Sequence, residues 1–205
     1  MARSTIDTFK SSVITDFARP NLFQVDIDFP AVLAGVGDDV KKLGAFLVKA
    51  ANLPASQLGV VEVPFRGRTL KIAGDRTFEA WTITVFNDTN FVLRNSFESW
   101  VEAIQANNEN YSTIAGLGSS SATTGATGTS NVNSGYFKNM SVTQLDRQGN
   151  AKATYQFINV FPTNVSAIDL DFGSNDAIEE FTVELQVQYW NKVGTPSTNN
   201  NLQVK

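Results

Sequence analysis

"IEEFTVELQVQYW", Ile178 to Trp190, alternates without a break. Phe181, Val183, Leu185, Val187 and Tyr189 fall on one side of an extended chain. Glu180, Thr182, Glu184, Gln186 and Gln188 fall on the other, because successive side chains of a strand point to opposite faces. A strand of this kind lays one face on a core and leaves the other to water. The same period recurs upstream in "LFQVDIDFP", where Phe23, Val25, Ile27 and Phe29 oppose Gln24, Asp26 and Asp28. "LGAFLVKAA", "TFEAWTITVFN", "GYFKNMSVTQL" and "AKATYQFINVF" also read as strands. "GVVEVPFRGRTLKIAG" reads as two strands around Arg66-Gly67-Arg68, with the glycine free to supply the turn. Asp146-Arg147-Gln148-Gly149-Asn150 has the composition of another hairpin turn.

One segment breaks the period of two. In "NFVLRNSFESWVEAIQANN" the apolar positions Val92, Leu93, Phe97, Trp100, Val101 and Ile104 share one face of a helix. Asn90 or Asp88 is placed to cap its start. One amphipathic helix among antiparallel strands predicts a mainly β fold, a β-sandwich or open barrel with a single flanking helix. The 205 residues fit one domain with a core at about 17–190. "AVLAGVGDDVKK" reads as a loop after the first strand. The Ser/Thr/Gly tract 116–135 reads as an inserted mobile loop, and 191–205 as a polar tail.

Composition excludes much chemistry. With no cysteine and no histidine, disulfides, thiolate sites, Ser-His-Asp triads and the usual zinc centres are absent. The expectation is therefore no enzyme and no cofactor. Sixteen basic residues against 20 acidic ones make no phosphate-binding footprint. The N-terminus lacks the apolar core of a secretory signal, and no apolar run approaches the ~20 residues of a membrane span. A chain made in a cytoplasm, without a membrane anchor, is expected.

Three constellations have competing readings. Asp169, Asp171 and Glu180 fall at the first, third and twelfth places of an EF-hand-like loop, but Gly173 and Ser174 break the pattern. A polar turn between strands is expected there, and no metal site. The cluster Arg66, Arg68 and Lys71 beside Phe65 suits either nucleic acid or an exposed hairpin tip, and the tip is the simpler reading. Trp81, Trp100 and Trp190 suit packing, or sugar platforms in a carbohydrate-binding sandwich. The tryptophan strand itself is apolar on both sides, with Phe78, Ala80 and Phe86 on one and Trp81, Ile83 and Val85 on the other. Such a strand needs cover from two layers or from a neighbouring subunit.

The segments "ARPNLFQVDI", "KAANLPA", "AGDRTFEAWTITVFND", "FESW", "PTNVSAIDLDFGSND" and "IEEFTVELQVQYW" occur in that order. Together they resemble the tail tube proteins of contractile-tailed, T-even-type phages, from Phe17 to Trp190. The tract 116–135 and the end of the chain lie outside the resemblance. It implies a structural virion protein whose sheets join between six subunits into a ring-shaped β-barrel. Rings would stack into the inner tube, assembled in the host cytoplasm, through which the genome leaves. Sheath, baseplate and tail-terminator proteins are the implied partners, while tape-measure protein and DNA pass without specific binding. An alternative is the tube of a phage-derived injection system carrying protein cargo.

On that reading Glu180, Thr182, Glu184, Gln186 and Gln188 line the channel, with Gln24, Asp26 and Asp28 as a second set. A mildly acidic wall would repel DNA phosphates. The resemblance also implies that an extended hairpin from about Pro54 to Arg76 reaches toward adjacent subunits, and Arg66, Arg68 and Lys71 would meet the next ring. Asp75 and Arg76 are expected in ion pairs, within the subunit or across the ring.

Overall fold

The computed structural model describes residues 6–12, 17–30, 33, 38–108, 111–112, 114 and 135–193. Among these the order is α1 (Ile6–Ser12), β1 (Phe23–Asp26), α2 (Asp38–Leu47), β2 (Val48–Ala51), β3 (Gln57–Phe65) and β4 (Arg68–Thr77). It continues with β5 (Trp81–Phe86), α3 (Val92–Ile104), β6 (Lys138–Leu145), β7 (Ala151–Val165), β8 (Glu180–Gln186) and β9 (Tyr189–Val193).

β7 organises the sheets. Its first half pairs with β6 on one side and β9 on the other, and its second half pairs with β8. The strand order is β1-β6-β7-β8-β5-β2, every pairing antiparallel. The bend in β7 falls at Asn159, whose φ of 55° lies in the left-handed region that asparagine tolerates better than most residues. There the β6–β7 register slips, Asn159 N–H donates to Asn139 Oδ1 at 3.2 Å, and Gln188 N–H donates to the Ile158 carbonyl at 3.2 Å. A bulge of this kind turns a sheet corner, so one strand serves two faces of a sandwich. The alternating run that reads as one strand in the sequence is broken at the same corner, after Gln186, into β8 and β9.

The core follows from register. Trp81 stands opposite Leu185, Ile83 opposite Val183, and Val85 opposite Phe181, all buried. Val25, Ile27 and Phe29 join Met140, Val142, Phe157 and Val160 from the other half. Trp81 stacks on Phe157 with centroids 4.2 Å apart, and its indole N–H donates to the Asn52 carbonyl at 2.9 Å. α3 delivers Leu93, Phe97 and Trp100 to the same core, where Phe29 packs edge-on against both aromatic rings. Trp100 Nε1–H is satisfied by the Tyr136 carbonyl at 3.0 Å. Asp88 accepts from the Val92 N–H at 2.9 Å, so it is the residue that caps α3.

The mainly β fold stands, but the helix content is larger than one. "LGAFLVKAA" is helical to Leu47 and extended only from Val48. Buried positions Val40, Gly44 and Val48 follow a helical spacing, and a short apolar run does not by itself distinguish helix from strand. Gly44 permits the close approach: a Cβ there would lie 3.4 Å from Ile27 Cδ1 and 3.7 Å from Leu93 Cδ2. The stretch expected as a loop, "AVLAGVGDDVKK", therefore contains the first turns of α2. At the other end, Asn191 to Val193 belong to β9 rather than to a tail, pairing with Thr154 to Gln156. The tract 116–134 and residues 194–205 lie outside the described residues.

Candidate assembly interface

β3 and β4 form a two-stranded sheet that, among the described residues, pairs with no other strand, and every residue in it except Gly74 is exposed. Across the register, Val61 faces Ile72 and Val63 faces Leu70, so these four and Phe65 make one apolar face. Glu62 and Lys71 face each other on the opposite side, with an ion pair at 3.6 Å. The apolar side chains of the arm, Val63 to Phe65 at the extremes, are 41% to 67% exposed. An isolated hairpin is marginal in water, and each uncovered side chain of this size forgoes about 1.5–3 kcal/mol of burial. Among the described residues nothing covers this face, and an exposed apolar patch of this kind marks an interaction surface.

Its tip is an Arg66-Gly67 turn with both φ positive, 46° and 83°, the geometry that matches the twist of paired strands. Arg66 lies over the Phe65 ring at 5.4 Å, and Arg68 stands opposite Phe65 in the register. Arg66, Arg68 and Lys71 thus share the outer end of the arm. At the other end the register slips between Leu58 and Val60, next to Gly59 and Gly74. A Cβ on either glycine would lie 3.1 Å from the other strand's backbone, so glycine lets the strands close here without displacing it.

The base of the arm holds Arg76 by aromatic contact. Its guanidinium lies 5.6 Å from the rings of both Phe78 and Trp190, and it donates to Ser56 Oγ at 2.9 Å. Trp190 is edge-on to Phe78 and Tyr155, and its N–H donates to the Ala55 carbonyl at 3.3 Å. Among the described residues neither Asp75 nor Arg76 forms an ion pair within the subunit. The intrasubunit half of that expectation gives way to a cation–π clamp, because aromatic faces from β9 and the loop before β5 reach the guanidinium first.

Glu180, Thr182, Glu184 and Gln186 share the outward face of β8, as their alternation requires, and Gln188 is exposed just beyond it. Thr84 stands opposite Thr182 and Thr82 opposite Glu184, while Phe86, opposite Glu180, is half-buried under Lys49, so this face of β5 is polar but for Phe86. The tryptophan strand is accordingly buried on one side only within the subunit. Glu180 is paired with Lys49 of β2. Gln24 and Asp26 are exposed on β1, two strands from β7 in the sheet order. Asp28 lies beyond the end of β1 and binds Lys41 of α2 at 2.7 Å. The structure therefore groups the β8 residues and sets Asp26 and Asp28 apart from them.

The EF-hand-like acids are engaged elsewhere. Asp171 Oδ1 accepts from the Gly173 N–H at 2.9 Å in a local turn, while Glu180 is held by Lys49. Among the described residues no three His, Cys, Asp or Glu form a metal-binding group, and no helix is long and apolar enough to cross a membrane. Trp81 and Trp100 are buried inside the subunit and Trp190 is wrapped by the clamp, so none offers an open platform for a sugar.

The phage tail tube protein family model matches residues 18–193. The chain belongs to the phage tail tube protein family. Tail tube protein gp19 of Enterobacteria phage T4 is 35% identical over 178 residues, covering 85% of this chain and 91% of that one. The tail tube protein of Serratia phage KSP90 is 29% identical over 168 residues, covering 82% and 84%. Among solved structures, a chain of the anti-feeding prophage baseplate superposes with a TM-score of 0.57 at 14% identity, covering 90% of this chain and all of that one. A chain of the extracellular contractile injection system PVC sheath/tube terminator gives 0.54 at 12% identity, with 89% and 100% covered. These last two establish a shared fold. Membership makes this chain a structural tail tube protein.

Sequence reasoning pointed to the arm through its arginines and missed its apolar face. The signal was present in "GVVEVPF", where Val60, Val61 and Val63 put apolar groups on both sides of one strand. It also missed the clamp on Arg76, since Phe78, Tyr155 and Trp190 meet only through the sheet order.

Proposed function

We propose that six copies form a ring, that rings stack into the inner tube of a contractile tail, and that the genome enters the host through this tube. The observation that carries the reading is the arm: five apolar side chains on one face of a hairpin with nothing among the described residues to cover them. In a ring, each arm lies on a neighbour. Strand edges left open at β1, β2 and β9 pair laterally, which closes the sheets into a barrel and removes aggregation-prone edges.

The polar face of β8 lines the channel. Glu180 and Glu184, against Lys49, leave it mildly acidic, so phosphates are repelled rather than held. Asp26 and Asp28 contribute to a second acidic stretch, and Asp75 pairs across subunits. Arg66, Arg68 and Lys71 meet the adjoining ring. Sheath, baseplate and terminator proteins bind the outside and ends of the tube, while tape-measure protein and DNA pass along it. The subunit is made in the host cytoplasm, ends in the virion and performs no catalysis.

Genome rather than protein cargo is favoured because the relatives of 29–35% identity are phage tail tube proteins, whereas injection-system chains share the fold at 12–14%. Negative-stain electron microscopy of concentrated protein tests the assembly: hollow tubes of stacked rings are expected. Small particles alone, even when seeded with preformed tube ends, would contradict it. Glu184→Lys tests the wall without disturbing the Lys49 pair. Its particles should assemble normally and eject DNA more slowly, and unchanged ejection removes the electrostatic part.

A further inference from the structure

The loop between β7 and β8, residues 166–179, carries Asp169, Asp171, Asp176 and Glu179 and no lysine or arginine. Within it Leu170 is 85% exposed and Phe172 is completely so. Two large apolar side chains alternating with two carboxylates thus project from the subunit with nothing to pack against. The loop is not slack: Asp171 closes a turn through the Gly173 N–H at 2.9 Å, and the Ser174 N–H donates to the Asp171 carbonyl at 3.1 Å.

A groove of complementary chemistry lies at the β6–β7 turn. It measures 450 Å³, and its lining includes Phe17, Leu22 and Leu145 together with Arg19, Arg147 and Lys152. That volume falls in the range, about 300–1,000 Å³, that accommodates a small molecule, so two side chains fit. Asp146 also lines it, but that carboxylate is committed to the turn and to Lys152 at 3.0 Å. The groove is preformed. Gln144 Nε2 donates to the Arg19 carbonyl at 2.6 Å and the Leu22 carbonyl at 2.9 Å, and Leu145 N–H also donates to Leu22 at 2.8 Å. These bonds fix one wall to the other.

We propose that the Leu170–Phe172 loop of one copy inserts into the Phe17–Leu145 groove of a second copy, and that this contact joins one ring to the next. The charges match, a lining of three cations against Asp146 to a loop of carboxylates only, and both sides carry apolar surface. Position decides the direction. The groove adjoins the start of β7 and the loop follows its end, so the two patches lie at opposite ends of a 15-residue strand that bends at Asn159. Loop and groove are different patches on one chain, so the contact is head-to-tail and propagates. Barrel strands run at roughly 35–45° to the axis, so their edges face neighbours in the ring while their ends face the rings above and below. This contact rests on the tube reading and adds its axial partner surface.

The test exploits a chain without cysteine. Tubes of the double variant Ala18→Cys/Ser174→Cys, which keeps both phenylalanines, treated with a short bis-maleimide, should give a covalent ladder extending past the hexamer. Either single variant should give none beyond a dimer. Phe172→Asp should leave the melting temperature unchanged, because the side chain touches nothing in its subunit, and raise the critical concentration for tubes about tenfold or more. Arg19→Glu should weaken assembly, and Asp169→Lys combined with it should restore part of the loss. Wild-type tubes beside an uncross-linked double variant, or normal assembly of Phe172→Asp, would overturn the contact alone. Wild-type protein that forms no tubes would instead contradict the tube reading on which it rests.

Discussion

β5 with β8 and β3 with β4 are both antiparallel pairs with a row of apolar residues on one face, yet their fates differ. Trp81, Ile83 and Val85 are 0–2% exposed, whereas Val61, Val63, Leu70 and Ile72 are 41–60% exposed. Period and residue type are the same. What differs is the covering layer: α3 and the opposite sheet cover the first pair, whereas no described residue covers the second, for which the tube reading supplies a neighbouring copy. Alternation identifies a strand and its buried face, but it does not say whether the partner lies on the same polypeptide.

The comparison predicts that damage to the two regions will be read by different instruments. The largest effect on the subunit itself belongs to the core. Trp100→Ala empties a site walled by Phe29 and Phe97 and strands the Tyr136 carbonyl. It should cost about 3–5 kcal/mol in urea denaturation of the free chain. The same substitution with under 1 kcal/mol lost would mean the sandwich core is not where the stability resides. Val63→Asp with Leu70→Asp should do the reverse: denaturation within about 0.5 kcal/mol of wild type, since exposed sites tolerate change, and tube assembly lost.

Smaller effects sharpen the boundary between the regions. Arg76→Ala removes the cation shared by Phe78 and Trp190 at the base of the arm. About 1 kcal/mol of subunit stability is expected to go, with faster hydrogen exchange in β3 and β4. An effect confined to assembled tubes would instead place Arg76 in an ion pair between subunits. The smallest effect concerns acid. The Asn150 N–H bond, opposed by desolvation and joined by Lys152, the Asn150 side chain and the Gln148 N–H, holds the Asp146 carboxyl down at about 2. A lowered pKa stabilises the folded turn above the ordinary value of 3.8, and that contribution fades as pH falls from there towards about 2. Wild-type stability should therefore lose more than that of Asp146→Asn across this window, and equal losses would deny the turn its role.

Much of the fold was legible because it rests on local pattern. The β8 alternation, the α3 face, the Asp146 turn and the Arg66-Gly67 tip each declare themselves within a few residues. Three features did not. The helix through Gly44 and Leu47 is an apolar run too short to separate the two periods, and its packing on Ile27 and Leu93 settles the matter. The β7 corner at Asn159 depends on pairing with β6 and β9 at once. The clamp on Arg76 joins residues more than a hundred positions apart. At the site, the arginines of the arm were visible as charge and its valines as an apolar run, but the single apolar face followed only from the register that pairs Val61 with Ile72 and Val63 with Leu70.

The most direct measurement is a cryo-EM reconstruction of tubes assembled from the wild-type chain. The account predicts that Val61, Val63, Phe65, Leu70 and Ile72 of each copy lie against an adjacent copy and are withdrawn from solvent. Tubes in which these five side chains remain in water, with the arm touching no neighbour, would contradict it.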